Sequence, residues 1–289
     1  MSAFRPVFIG GAGRSGTTLA VDLLGTHASL SPVYETDFVL GVAREMLARR
    51  PIPESAAAIR RLMGQWTEPL PLRPHNKRAH ERYLHGPHYI LFERGFALEA
   101  TETFIEELAT DPIGGFRRFI GTLFARHAEL DGKPFWVNKT PAYITALPFL
   151  QRVWPDLLFV HCVRDGRDVA ASVLTRPWGP NNWADAGTWW RDQVRPGLEF
   201  AAKNPGQVAV LRYEELLERP TQALEGVLGA LGLGGAAETV ERYLATGANL
   251  DPARTGGWKS ESEADIQAFE DGGGGTLNVL GYERAYAGV

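Results

Sequence analysis

The stretch from Phe8 to Leu19, FIGGAGRSGTTL, limits what this chain can fold into more than any other. An apolar run, a glycine-rich turn and a helix start follow one another without a break. Gly11, Gly13 and Gly16 give the turn backbone angles closed to other residues, so it can wrap tightly around an anion. A helix starting at Gly16 or Thr17 aims unpaired N–H groups and its positive dipole end at the same point. From Gly11 the spacing is G-x-x-x-x-G-T-T, the phosphate-loop frame with Thr17 where nucleotide-hydrolysing enzymes carry lysine. The loop is therefore expected to hold a phosphate-rich ligand without that lysine and without magnesium.

The surrounding pattern supplies a scaffold for such a loop. Arg5–Gly10 reads as a central strand buried on both faces. Thr17–Gly25 puts Leu19, Leu23 and Leu24 on one helical face, and Ser31–Glu35 reads as a second strand. In open parallel sheets ligands bind beyond the carboxyl ends of the strands, which places Glu35 on the same edge as the loop. Two helical stretches, broken by Pro51 and Pro53, run from Val39 to Gln65, and Trp66–Tyr89 reads as an irregular excursion over the site. A helix over Pro112–Leu130 precedes a strand, Pro134–Asn138, that delivers Lys139 to its tip.

The strand Asp156–Val163 leads into RDGRD, with Arg164 at the strand end and Arg167 at the start of a helix to Leu174. Two arginines at a strand tip and helix start describe a second anion site, and Ser172 follows Arg164 by eight residues on that helix. Trp178, Trp183, Trp189 and Trp190 belong to a loop and helix; those near loops are candidates to stack on a ring-bearing acceptor. Val208–Tyr213 reads as a further strand, and Pro220–Leu231 and Ala236–Leu244 as helices. Near the end, RTGGWKS precedes a short helix over Ala264–Glu270, which Gly272–Gly275 are expected to stop. Strands alternating with helices indicate one α/β domain over residues 1–289, a parallel sheet flanked by helices in a P-loop-like fold. Its core covers about 5–260 and a glycine-rich tail about 261–289.

Composition narrows the function. A net charge of −4 gives no general attraction for nucleic acid, so anionic ligands must be gathered by local arginine and lysine clusters. The single cysteine, Cys162, excludes a disulfide framework and reads as core packing. No apolar run approaches the length of a membrane span, and the early first strand leaves no room for a signal peptide, so a cytoplasmic protein is expected. A homodimer is compatible with the sequence.

Three segments in this order, GRSGTTL, VRDGRDVAAS and LRYEEL followed by a basic segment, resemble the sulfotransferases that use 3′-phosphoadenosine-5′-phosphosulfate (PAPS). The likeness runs from about Val7 to Lys259 and is closest to the branch of tyrosylprotein sulfotransferases and many bacterial enzymes. The resemblance implies that Gly13, Arg14, Ser15, Gly16, Thr17 and Thr18 surround the 5′-phosphosulfate. It implies that Arg164 and Ser172 hold the 3′-phosphate, with Tyr213 on the cofactor and Arg254 or Lys259 as a further 3′-phosphate ligand. RTGGWKS is shorter than the matching segment of cytosolic members. The resemblance also aligns Glu35 with a general base and Lys139 with a lysine beside the transferred group, Arg14 stabilising the leaving oxygen. The product would be 3′-phosphoadenosine-5′-phosphate (PAP), no metal is required, and the acceptor would be a small-molecule, carbohydrate, lipid or peptide hydroxyl.

The residues support that chemistry independently of the likeness. In-line sulfuryl transfer resembles phosphoryl transfer, where positioning and electrostatics supply most of the catalysis. A neutral hydroxyl also needs one base, and Glu35 is the best-placed carboxylate, with a histidine as its rival. His27 reads as closing the first helix and His161 as a satisfied buried histidine. Two other readings stay open here: a P-loop nucleotide kinase or phosphotransferase, and a non-catalytic nucleotide-binding protein.

Overall fold

The central strand, β1 (Val7–Gly11), is buried at every residue. The computed structural model describes residues 5–67 and 92–286, and between them the backbone of three two-residue strands. Around β1 lie β2 (Leu30–Tyr34), β6 (Phe135–Lys139), β7 (Leu158–Val163) and β8 (Val208–Arg212). They form one five-stranded sheet in the order β2-β6-β1-β7-β8, with all neighbours parallel. The short strands β3 (Leu70–Pro71), β4 (Leu84–His85) and β5 (His88–Tyr89) make a separate antiparallel sheet. The rest of the expected Trp66–Tyr89 excursion lies outside the described residues, apart from Trp66 and Thr67.

Alternation along β1 sends its side chains to opposite faces. Phe8 packs edge-on or tilted against Trp136, Tyr143 and Trp154, with centroids 5.5, 5.3 and 4.9 Å away. That face is covered by α2 (Asp37–Leu47), α3 (Ile52–Trp66), α4 (Arg94–Glu107), α5 (Pro112–Leu130) and α6 (Leu147–Val153). Val7 and Ile9 point the other way, toward α1 (Thr17–Leu24), α10 (Pro220–Ala230) and α11 (Ala236–Ala245). Each large apolar side chain fully buried contributes about 1.5–3 kcal/mol, so the two faces fix strand register firmly. The short α9 (Tyr213–Glu218) follows β8 directly.

A third cluster joins α7 (Gly166–Val173), α8 (Trp183–Lys203) and α12 (Glu263–Val279). Here the sequence expectation is corrected, because α12 runs straight through Gly272–Gly275. A Cβ on Gly187 of α8 would stand 2.2 Å from the Phe269 carbonyl oxygen. The helices therefore meet backbone to backbone, and only glycine permits that approach. Burial of Phe269 and Leu277 offsets the ~1 kcal/mol that each glycine costs a helix. No local pattern announces α4, whose buried residues are Ala97, Thr101 and Phe104, an apolar stripe too thin to show a period.

Among the described residues, two non-glycine positions take left-handed backbone angles, Arg14 at φ 71° and Glu35 at φ 28°. Each such conformation costs about 1–2 kcal/mol for an L-residue and collects at functional sites. Both residues sit at the carboxyl edge of the sheet. Among the described residues no helix is long and apolar enough to cross a membrane.

Candidate active site

The loop between β1 and α1 turns at Ser15, whose N–H donates to the Ala12 carbonyl at 3.1 Å. Gly16 then takes φ 85° ahead of α1, and a Cβ there would lie 2.4 Å from the Tyr213 ring. Glycine is thus required twice at this position, for the angle and for the contact. Thr17 is buried and Thr18 is exposed, while Ser15 is buried with its hydroxyl unpartnered. Gly13 lies beside the ring of Trp178, which is 59% exposed and so available at the surface of the cleft.

Strand β7 and helix α7 bring the second cluster against this loop. Arg14 Nε donates to Ser172 Oγ at 3.0 Å, and Arg164 Nη1 donates to the Arg14 carbonyl at 3.3 Å. Arg164 also stacks on Tyr213, 4.4 Å from the ring centroid, and leaves its buried Nε without a partner. Partial burial, then the charges of Arg176 and Arg164, hold the Arg14 pKa below its usual value. Cations crowded this way make a site that favours an anion. Arg176, twelve residues after Arg164, is a member that the sequence reading passed over, although its spacing on the same segment was visible.

The RTGGWKS segment closes one side as an arm. Asp168, buried on α7, accepts from the N–H groups of Gly256 and Trp258 at 2.8 and 3.0 Å. Arg164 Nη2 donates to the Arg254 carbonyl at 2.8 Å, whereas the Arg254 side chain turns to Asn249 Oδ1 at 3.2 Å. Arg254 thus joins the cluster through its backbone. Lys259 is exposed and lines, with Arg167, Trp258 and Tyr282, a cleft of about 480 Å³ whose lining does not include Arg14, Arg164, Ser172 or Tyr213. Arg167 is corrected from anion ligand to internal tie. It is buried, bonded to Asp165 at 2.8 Å and Glu270 at 2.9 Å, and covered by the Trp258 ring at 3.6 Å. Its charge is already matched.

On the other side of the loop, Lys139 Nζ donates to Glu35 Oε1 at 2.5 Å, and the Glu35 N–H donates to the Lys139 carbonyl at 2.7 Å. The lysine side chain is 1% exposed and the glutamate side chain 40%, so the carboxylate is the member of the pair that solvent or substrate can reach. Asp37 adds a second carboxyl group that sequence reading missed; burial first, then the charge of Glu35, raises its pKa.

Among the described residues, His27, His127 and His161 stand apart from this pair. His27 accepts from Ser29 N–H at Nδ1 and meets the Gly234 carbonyl at Nε2, which suits its helix-closing place. His127 faces the Pro32 carbonyl. His161 is buried as expected, yet neither ring nitrogen has a partner, which corrects the reading of a satisfied side chain, and burial pushes its pKa down to about 4. Cys162 is buried in the core, its thiol pushed up to about 12 by desolvation. Among the described residues no His, Cys, Asp and Glu cluster with metal-site geometry occurs.

The chain is similar to several known proteins. A Caenorhabditis briggsae protein provisionally named a protein-tyrosine sulfotransferase is 29% identical over 138 residues, 46% of this chain and 49% of that protein. Chicken (Gallus gallus) protein-tyrosine sulfotransferase 2 is 23% identical over 233 residues, 78% of this chain and 51% of that protein. This chain spans about half the length of the curated protein-tyrosine relatives it matches. The solved sulfotransferase domain of the Synechococcus PCC 7002 olefin synthase superposes with a TM-score of 0.55 at 21% identity, covering 94% of this chain and 96% of that one. These likenesses include animal and bacterial proteins, so they do not confine the chain to a bacterial branch. A sequence profile described as the sulfotransferase family matches residues 6–236, most of the chain, and the protein therefore belongs to the sulfotransferase family.

Proposed function

We propose that this protein transfers the sulfuryl group of PAPS to a hydroxyl acceptor, with Glu35 as the general base. The observation that carries the reading is the union of Arg14 and Ser172 with Arg164 and Tyr213 in one cation-rich cleft. The cleft contains two buried hydrogen-bonding groups with no protein partner, Ser15 Oγ and Arg164 Nε. Leaving such groups unpaired costs about 1–3 kcal/mol each, which an anion bound between them offsets. The residues therefore fit a donor bearing separated phosphates.

In this reading the backbone of Gly13–Thr18 and the Arg14 side chain hold the 5′-phosphosulfate. Arg164 and Ser172 hold the 3′-phosphate, Tyr213 supports the nucleotide, and the Arg254 segment closes the side. Bound there, PAPS supplies an electrophilic sulfur and a phosphate leaving group. Glu35 takes the proton as the acceptor oxygen bonds to sulfur and the bond to the phosphate oxygen breaks, releasing PAP. Lys139 and Arg14 stabilise charge on the transferring and leaving oxygens, as preorganised cations do. The names of the relatives put tyrosine hydroxyls first among acceptors to test, ahead of carbohydrate, lipid and small-molecule hydroxyls.

Calorimetric titration with PAP and with ATP, each with and without magnesium, tests the donor assignment. PAP is expected to bind more tightly than ATP and without magnesium. Tighter, magnesium-dependent binding of ATP would overturn it.

A further inference from the structure

Glu35 does not adopt its backbone angle by itself. On its N-terminal side, Val33 accepts from Asn138 Nδ2 at 3.0 Å, pinning β2 to β6 just before the strand ends. On its C-terminal side, the Thr36 N–H donates to Thr140 Oγ1 at 3.0 Å. The Thr36 hydroxyl donates to Asn138 Oδ1 at 3.1 Å, and the Tyr143 hydroxyl donates to the same oxygen at 2.5 Å. The two hydroxyls lie 3.0 Å apart. Thr36, Asn138, Thr140 and Tyr143 are all fully or almost fully buried.

The local chemistry of Thr36 marks this knot as more than strand pairing. Thr36 is the residue before α2, the place where a threonine hydroxyl normally caps its own helix. Here the hydroxyl makes no cap bond and is turned instead to Asn138 and Tyr143. A residue that gives up its local role at a strained site is compensated elsewhere. Between the two pinned points lie Tyr34 and Glu35, and it is Glu35 that takes the positive angle, φ 28°, with its carboxylate on Lys139.

We infer that the buried Thr36–Asn138–Thr140–Tyr143 knot forces Glu35 into its left-handed backbone and so aims its carboxylate at Lys139 and the cleft. Thr36 and Tyr143 are then positioning residues for the proposed base. The inference deepens the functional reading above and rests on it for its catalytic meaning. The backbone claim stands separately.

The test compares Glu35→Gly with Glu35→Ala in three backgrounds: the unaltered chain, Thr36→Val and Thr36→Ser. Both substitutions at 35 delete the carboxylate equally, and only glycine relieves a positive φ, so their difference in melting temperature reads the imposed strain. In the unaltered chain the glycine variant is expected to melt about 2–4 °C above the alanine variant. With Thr36→Val that margin should shrink to near zero, and with Thr36→Ser, which keeps the hydroxyl, it should return. PAP affinity should change less than twofold on Thr36→Val, since the knot does not touch the donor cleft. Should Thr36→Val not fold, Tyr143→Phe removes the second hydroxyl in the same design. An equal margin in all backgrounds, or no margin in the unaltered chain, would overturn the inference. Unchanged turnover in Glu35→Gln, by contrast, would remove the base assignment and leave the strain result intact.

Discussion

Arg14 and Ser172 stand 158 positions apart in the chain and are joined by a 3.0 Å hydrogen bond between Nε and Oγ. Arg14 belongs to the loop after β1 and Ser172 to the helix after β7, so the bond joins the two elements into one cleft. Neighbouring parallel strands make this unavoidable, because β1 and β7 pair through Gly11 and Cys162 and end at the same edge.

Ser15→Ala should separate binding from stability. The buried hydroxyl has no partner in the free protein, so its removal should raise the melting temperature by about 2–4 °C, the equivalent of ~1 kcal/mol. PAP affinity should fall about tenfold or more, because a charge-assisted hydrogen bond is lost. Thermal melts beside calorimetry give both numbers, and a drop in stability with unchanged affinity would contradict the role.

Arg164→Ala should discriminate between nucleotides. Its guanidinium sits on Tyr213 with a free Nε, and the variant should weaken PAP by roughly 10–100-fold. AMP, which lacks the 3′-phosphate, should weaken far less. Equal losses for PAP and AMP would place the 3′-phosphate elsewhere.

Glu35→Gln should keep PAP affinity within about twofold and lower transfer by roughly 10²–10⁴-fold, the usual contribution of a general base. A labelled-sulfuryl assay across tyrosine peptides, sugars and phenols reads this once an acceptor is found. A variant with full turnover would return the role to another group.

His161 should make stability fall in mild acid. Its folded pKa, near 4, lies below the ordinary value of 6.5, so the unfolded chain binds the proton more readily. The stabilisation is complete above about pH 6.5 and is lost as pH drops toward 4, about 3 kcal/mol in all. His161→Leu should flatten the melting temperature over that window. An unchanged slope would assign the acid sensitivity to other groups.

The sequence revealed those parts of the site whose signals are local. The apolar run ending in glycines announced β1 and its loop, and RDGRD after a second apolar run announced α7. Arg164 and Arg167 looked alike there; Arg167 is neutralised inside the fold by Asp165 in the same motif and by Glu270, 103 residues away. The helix α12 was hidden because glycine propensity is a local quantity, while the close approach to Gly187 is a tertiary one. The Thr36 knot was hidden for the same reason, its partners lying 102 to 107 positions downstream.

Asp168 and Glu270 give the far end of the chain a stake in the first part. The match to the family ends at residue 236, yet Asp168 grips the arm at Gly256 and Trp258, and Glu270 on α12 neutralises Arg167. Cutting the chain ahead of α12 would leave Arg167 a buried cation with one partner fewer, at the root of the helix that presents Ser172. The last fifty residues therefore behave as a keystone. They hold Arg164 at the Arg254 carbonyl and the root of α7 at Gly256, Trp258 and Glu270.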